Sequence, residues 1–180
     1  HLQHMTGLMS RAYIDLYKGD GQTALDRMVA KHGWIKSGFF NTIQVLRVFI
    51  SSLQGRGALM AARGSADRTV LLTTVRRSAK EIERERVAWA QPLAMLLRAG
   101  LAELEGRHQD AVDTLEAAAN ECDLVPMNGY AAAARWRAAT LAAGTGRADD
   151  LRRRAEEWMH REGIRSPERM TDMLAFGAPS

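Results

Sequence analysis

Hydrophobic residues recur along most of this chain every three or four positions, which is the spacing of an α-helix that buries one face. In the first such segment, residues 2–18, the apolar positions include Met5, Ala12 and Leu16. A second segment, residues 22–31, carries its own apolar face and follows after a short polar break. The two segments are therefore predicted to form a hairpin of antiparallel helices.

The same pattern predicts three further hairpins and a short final helix. The clearest is the third, in which a leucine-rich helix at residues 89–105 is followed by an alanine-rich one at residues 108–122. Alanine, leucine, arginine and glutamate favour helix over strand, so the fold class is predicted to be all-α. The polar breaks place the hairpins at approximately residues 1–32, 38–85, 87–122 and 126–162, and the final helix at residues 166–174.

Glycine residues mark helix ends at intervals of about 40 residues, at Gly19, Gly64, Gly106 and Gly144. Glycine ends a helix because it adopts the left-handed conformation at low cost, and a small residue soon afterwards, such as Ala111, lets the next helix pack closely. The interval exceeds the roughly 34 residues of a tetratricopeptide repeat. The interval by itself indicates stacked helix pairs and does not select a repeat family. We expect an α-solenoid of about four antiparallel helix pairs, plus a short C-terminal capping helix, that is tetratricopeptide-like in the residues around Gly106 and Ala111.

The composition fits one helical domain with a mixed surface. Of the 180 residues, 46% are hydrophobic, which is enough for a continuous core. The 25 basic and 21 acidic residues are interspersed and leave a net charge of +4. A basic ridge around Arg76 and Lys80 is interrupted by glutamates and lacks aromatic residues, so we do not expect nucleic acid as the partner.

The cysteine content and the apolar stretches bear on the location of the protein. The single cysteine, Cys122, cannot form an intramolecular disulfide, which favours a reducing, cytoplasmic location. The most alanine-rich stretch, residues 130–143, is broken by Arg135 and Arg137, so no membrane span is predicted. The chain starts at His1 without a leader, and we expect it to be a fragment of a longer protein.

Motifs that carry enzymatic chemistry are missing from the sequence. It contains neither a glycine-rich loop ending in Gly-Lys-Ser/Thr nor a His-Arg-Asp or Asp-Phe-Gly sequence. The acidic pair Glu156-Glu157 alternates with arginines and is interpreted as a solvated helix face. We expect no enzymatic activity, no catalytic residue, no cofactor and no metal ion.

Two regions of the chain resemble known proteins. The helix pair around Gly106 and Ala111 is similar to a divergent tetratricopeptide repeat. The segment from Trp158 to Met170, with the sequence WMHREGIRSPERM, resembles the end of large bacterial serine/threonine protein kinases. In that family a kinase domain and an ATPase-like module precede a C-terminal helical-repeat region. The resemblance implies a non-catalytic scaffold or sensor region that takes part in signal transduction through protein binding.

A concave groove is the binding surface that this resemblance implies. In tetratricopeptide arrays the first helix of each pair lines the groove, which corresponds here to residues 39–63, 89–105 and 127–143. Arginines in the groove would pair with acidic side chains or with a carboxylate of a bound peptide. The candidate protein-binding residues are Gln44, Arg47, Gln91, Arg98 and Arg135.

The partner expected from the sequence is a protein, a peptide or another domain of the same polypeptide. Two alternatives stay open at this point. The exposed terminal hairpins of such an array could stack on each other and form a homodimer. The chain could also be a ligand- or nucleic-acid-sensing helical-repeat regulator.

Overall fold

The described part of the chain folds into α-helices, most of which are joined by short turns. The computed structural model describes residues 2–30 and 42–176. Within these ranges there is no strand, and a short 3₁₀-helix at Ala88–Ala90 accompanies nine α-helices. They are α1 (Leu2–Tyr17), α2 (Gly21–Ala30), α3 (Gln44–Gly64), α4 (Thr69–Arg84), α5 (Gln91–Leu104), α6 (His108–Leu124), α7 (Asn128–Leu141), α8 (Gly146–Arg161) and α9 (Pro167–Leu174). The all-α prediction is confirmed for the described part of the chain.

The helix bounds agree closely with the sequence pattern where the two can be compared. The leucine-rich helix begins at Gln91, and Pro92 lies in its first turn. Proline is favourable there because the first N–H groups of a helix have no partner within the helix, so its missing N–H costs no hydrogen bond. The fourth predicted hairpin starts at residue 126, whereas α7 begins two residues later, at Asn128. The break between the first two predicted hairpins, and the start of the predicted helix at residue 39, lie outside the described residues.

Three of the four glycine marks adopt the left-handed conformation that ends a helix. The backbone φ angle is 82° at Gly19, 78° at Gly106 and 86° at Gly144. Gly64 differs, because it is the last residue of α3 and lacks a positive φ angle. The turn after it contains Asp67, whose Oδ1 accepts a hydrogen bond of 3.0 Å from the first backbone N–H of α4.

Each helix from α1 to α7 packs against the next one along the chain, so the helices form sequence-adjacent pairs. The odd-numbered helices also meet one another: α1 contacts α3, and α3 contacts α5. Arg137 of α7 binds Glu103 of α5. Glycines permit the closest approach, since a Cβ atom on Gly21 would lie 2.8 Å from the carbonyl oxygen of Gly57 on α3. The first helices of the four pairs therefore adjoin one another.

The C-terminal segment, residues 167–176, consists of α9 and the two residues after it. Helix α9 contacts α7 and α1. The carbonyl of Met173 accepts a hydrogen bond from Arg56 on α3, and the Phe176 carbonyl lies beside Gly100 on α5. The final helix thus occurs where the sequence predicts it. It does not end the row of pairs as a cap, however, because it packs against all four odd-numbered helices from α1 to α7.

Candidate functional site

The faces of α1, α3, α5 and α7 that surround the C-terminal segment form a groove, which we call the central groove. Ala175 and Phe176 are almost completely buried in it, and Leu174 is 7% exposed. Met170 and Met173 pack against the same core as partly buried side chains. The groove therefore accommodates a short helix that presents apolar side chains, which is a common mode of peptide recognition.

Arg56 is the most unusual side chain of the central groove. It lies in the middle of α3 and is 2% exposed, which is rare for an arginine. Its Nη1 donates to the Met173 carbonyl at 2.8 Å, and its Nε is 3.4 Å from the Ser52 carbonyl. Its Nη2 is buried and has no hydrogen-bond partner in residues 2–30 and 42–176. Among the described residues, no carboxylate forms an ion pair with this guanidinium.

Two tyrosines flank the Arg56 guanidinium from opposite ends of the chain. The guanidinium carbon lies 4.9 Å from the ring centroid of Tyr13 on α1 and 5.9 Å from that of Tyr130 on α7. The two hydroxyl oxygens are 3.4 Å apart. Aromatic faces attract a cation, so the rings compensate part of the cost of burying this charge.

The electrostatic environment of the two tyrosines differs. Burial raises the pKa of the Tyr13 hydroxyl, but the Arg56 charge and the hydrogen bond with Tyr130 outweigh burial, so its pKa lies below the ordinary value. Burial raises the pKa of Tyr130, and the opposing effect of the Arg56 charge does not outweigh burial there. Arg56 therefore acts electrostatically on both hydroxyls.

A small apolar pocket lies between Arg56 and the end of the C-terminal segment. Leucines of α3 and α5 form most of its wall, and Leu174 and Phe176 close it. The pocket has no room for a water molecule. Solvent inside the pocket therefore cannot supply the missing partner of Arg56 Nη2.

A second buried polar contact joins two walls of the central groove. The Arg137 Nε on α7 donates to Oε2 of Glu103 on α5 at 3.1 Å, and a second contact joins Arg137 Nη2 to Oε1. Their side chains are 6% and 2% exposed, respectively. Nearby on α9, burial raises the pKa of Asp172, while the charges of Arg137 and Arg63 oppose this shift. This pair fixes α5 against α7.

The three arginines predicted to bind a partner form ion pairs with acidic side chains of a neighbouring helix or of its end. Arg47 binds Glu85 through two contacts of 2.7 Å, and Arg98 binds Glu83 through two of 2.9 Å. Arg135 is buried and pairs with Asp123.

The two glutamines predicted for the same surface also lie near helix starts. Gln44 donates to the Glu85 carbonyl at 3.1 Å, and Gln91 is partly buried at the start of α5. Neither of them lines the pocket beside the C-terminal segment.

Sequence reasoning missed Arg56 as a site residue, although a signal for it existed. The apolar stripe of α3 runs through Ile50 and Leu53, and the next position on that stripe is Arg56. A charge on a face that is otherwise buried indicates either a structural contact or a binding site. The tyrosine partners had no comparable signal, because Tyr13 and Tyr130 are separated by 117 positions.

The chain finds no match among protein-family models, curated proteins or solved structures. In the ranges that the structure describes, no three His, Cys, Asp or Glu side chains are grouped so that they could hold a metal ion. None of the described helices is both long and apolar enough to cross a membrane. Among these features, the central groove is the one whose geometry bears on function.

Proposed function

We propose that this chain is a non-catalytic protein-interaction module, a tetratricopeptide-like helical-repeat region that binds a short peptide in the central groove. Its biological context would be the regulatory C-terminal region of a bacterial signalling kinase in the cytoplasm, as the WMHREGIRSPERM segment suggests. The observation that supports binding most directly is the groove itself, which already holds an eight-residue helix, α9.

The chemistry of the central groove favours an amphipathic helical ligand. Its walls supply leucines and alanines for apolar contact. Among the described residues, Arg56 is the one buried cation of the groove that does not pair with a carboxylate. It donates to the main-chain carbonyl of Met173 in α9, the helix that now occupies the groove. Carbonyls near the C-terminal end of a helix lack helical partners and carry partial negative charge, so a cation is favourable there.

Nuclear magnetic resonance can test this surface directly. Helical peptides selected by phage display on the immobilised chain would be titrated into the ¹⁵N-labelled protein. We expect chemical-shift changes in α1, α3, α5 and α7, with Tyr13 and Tyr130 among the affected residues. Changes confined to the even-numbered helices would show that the groove is not the binding surface.

A glycine substitution provides a matched control for the same titration. Gly100→Ala would place a Cβ atom 2.5 Å from the Phe176 carbonyl oxygen, so it should weaken any ligand that follows the path of the C-terminal segment. Gly7→Ala, in α1, adds the same atom with nothing within 4 Å and should leave binding unchanged. Equal effects of the two substitutions would contradict the proposed path of the ligand.

A further inference from the structure

We infer that the C-terminal segment, residues 167–176, is an exchangeable internal ligand that must leave the central groove before a partner peptide can bind. This inference rests on the proposed function and adds a form of regulation to it. In the unbound protein the segment would occupy the central groove, and a partner peptide would displace it by competing for the same surface.

Steric exclusion is the first step of the argument. The segment contacts α7 and α1, reaches Arg56 on α3 and lies beside Gly100 on α5. The remaining pocket next to it does not admit even a water molecule. A second helix therefore has no space in the groove while the segment is present.

Imperfect polar complementarity is the second step. On the groove side of the contact, the buried Nη2 of Arg56 has no partner among the described residues. On the segment side, the buried hydroxyl of Thr171 also has none within this part of the chain. Each such atom has lost its hydrogen bonds to water without replacement, which weakens the docking of the segment.

The connection to α8 is the third step, because it permits the segment to move as a unit. Helix α8 ends at Arg161, and α9 begins at Pro167 after a short turn. Within the turn, Gly163 has a φ of 68°, and its N–H donates to the His160 carbonyl. Rotation at this turn would move the segment out of the central groove. The contacts that helices α1 to α8 make with one another would stay intact.

The segment also indicates what a competing partner must offer. It presents Met170, Met173 and Leu174 at the i, i+3 and i+4 positions of one helix face, followed by the buried Phe176. A competing ligand would be a peptide with a short helix that carries large apolar residues in the same arrangement. Its helix would have to end beside Arg56, where the guanidinium can bind its carbonyls or a terminal carboxylate.

A peptide-binding experiment on the full chain tests the inference. The probe is a fluorescein-labelled peptide with the sequence SPERMTDMLAF of residues 166–176. The variant Leu174→Asp/Phe176→Asp weakens the internal segment and leaves the groove walls unchanged. We expect the peptide to bind this variant at least about tenfold more tightly than the wild type, because occupation by the internal segment lowers the apparent affinity. A peptide with the same two aspartates should bind neither protein.

The possible results separate the inference from the proposed function. Equal binding to the wild type and to the variant would overturn the inference and leave the groove as a binding surface. No binding to a folded variant, checked by circular dichroism, would overturn both. In the variant background, Gly100→Ala should abolish peptide binding and Gly7→Ala should preserve it.

Hydrogen exchange gives a second test that does not need the double variant to fold. In the wild type, we expect the amides of α9 to exchange through local opening, faster than those of α5 and α7. Exchange of α9 only through global unfolding would show that the segment is a permanent part of the core and would overturn the inference.

Discussion

Replacement of Arg137 by methionine should destabilise the protein strongly. The substitution keeps most of the volume of the side chain but leaves the Glu103 carboxylate, which is 2% exposed, without this cation. Both contacts between the guanidinium and the carboxylate would be lost. Removing one partner of a buried ion pair typically costs about 3–5 kcal/mol. That is a large fraction of the roughly 5–15 kcal/mol by which a domain of this kind is stable.

The physical reason for this cost is the remaining buried charge, and a double variant isolates it. Glu103→Leu combined with Arg137→Met removes both charges and fills the space with apolar atoms. Such replacements are often neutral or stabilising, so the double variant should be within about 1 kcal/mol of the wild type or more stable. On the surface, Arg153 pairs with Glu157 at 60% and 61% exposure, and Arg153→Met should cost less than about 0.5 kcal/mol.

Urea unfolding followed by far-ultraviolet circular dichroism measures all three variants at pH 7. The free energy of unfolding follows from linear extrapolation to zero urea. The reasoning would be refuted by a loss below about 1 kcal/mol for Arg137→Met, or by a double variant that is as unstable as the single one. The first result would mean that solvent or another group compensates Glu103. The second would mean that packing, and not charge, explains the loss.

Three further predictions concern a buried thiol, a close helix contact and a predicted site residue. Burial raises the pKa of Cys122 from its ordinary 9.0 to about 12, so its reaction with Ellman's reagent at pH 8 should proceed only through unfolding. Because the folded pKa is the higher one, this group favours the fold below pH 9, and its contribution should decrease as pH rises from 9 towards 12 in urea titrations. Gly21→Ala should lower the free energy of unfolding by about 1–3 kcal/mol in the same assay, because its Cβ would lie 2.8 Å from the backbone of α3. Gly146→Ala is the control: it is also at a helix start, but its Cβ would meet nothing within 4 Å among the described residues. It should change stability by less than about 0.5 kcal/mol. Arg98→Ala should cost no more than about 1 kcal/mol, because its pair with Glu83 is half-exposed. It should leave binding of the SPERMTDMLAF peptide unchanged, because Arg98 binds a residue of α4 and does not line the pocket beside the C-terminal segment.

The helices could be predicted from the sequence because their determinants are local. Periodic apolar residues such as Leu93 and Leu97 define a buried face within one helix, and Gly106 ends that helix by its own conformational freedom. These signals act over fewer than ten residues. The helix bounds therefore follow from the pattern, even though no comparison with other proteins assists the assignment.

The groove contacts could not be predicted in the same way, because they depend on long-range packing. The pattern gives α9 an apolar face but does not say which helices that face meets. Similarly, the sequence positions of Arg47 and Arg98 do not predict that both side chains form ion pairs with glutamates at the end of α4. A helix-by-helix analogy with tetratricopeptide arrays placed these arginines in an open groove, whereas in the structure they join adjacent helices.

The geometry at Arg56 also limits how any ligand can enter the central groove. Nη1 donates to the carbonyl of Met173, the second-to-last residue of α9, where the helix leaves its carbonyls without helical partners. The positive charge therefore meets the negative end of the helix dipole. A helix placed in the opposite direction would bring its N–H groups and the positive end of its dipole against the same guanidinium. Arg56 should thus select helices that run in the direction of α9, in addition to requiring the apolar face that the walls accommodate.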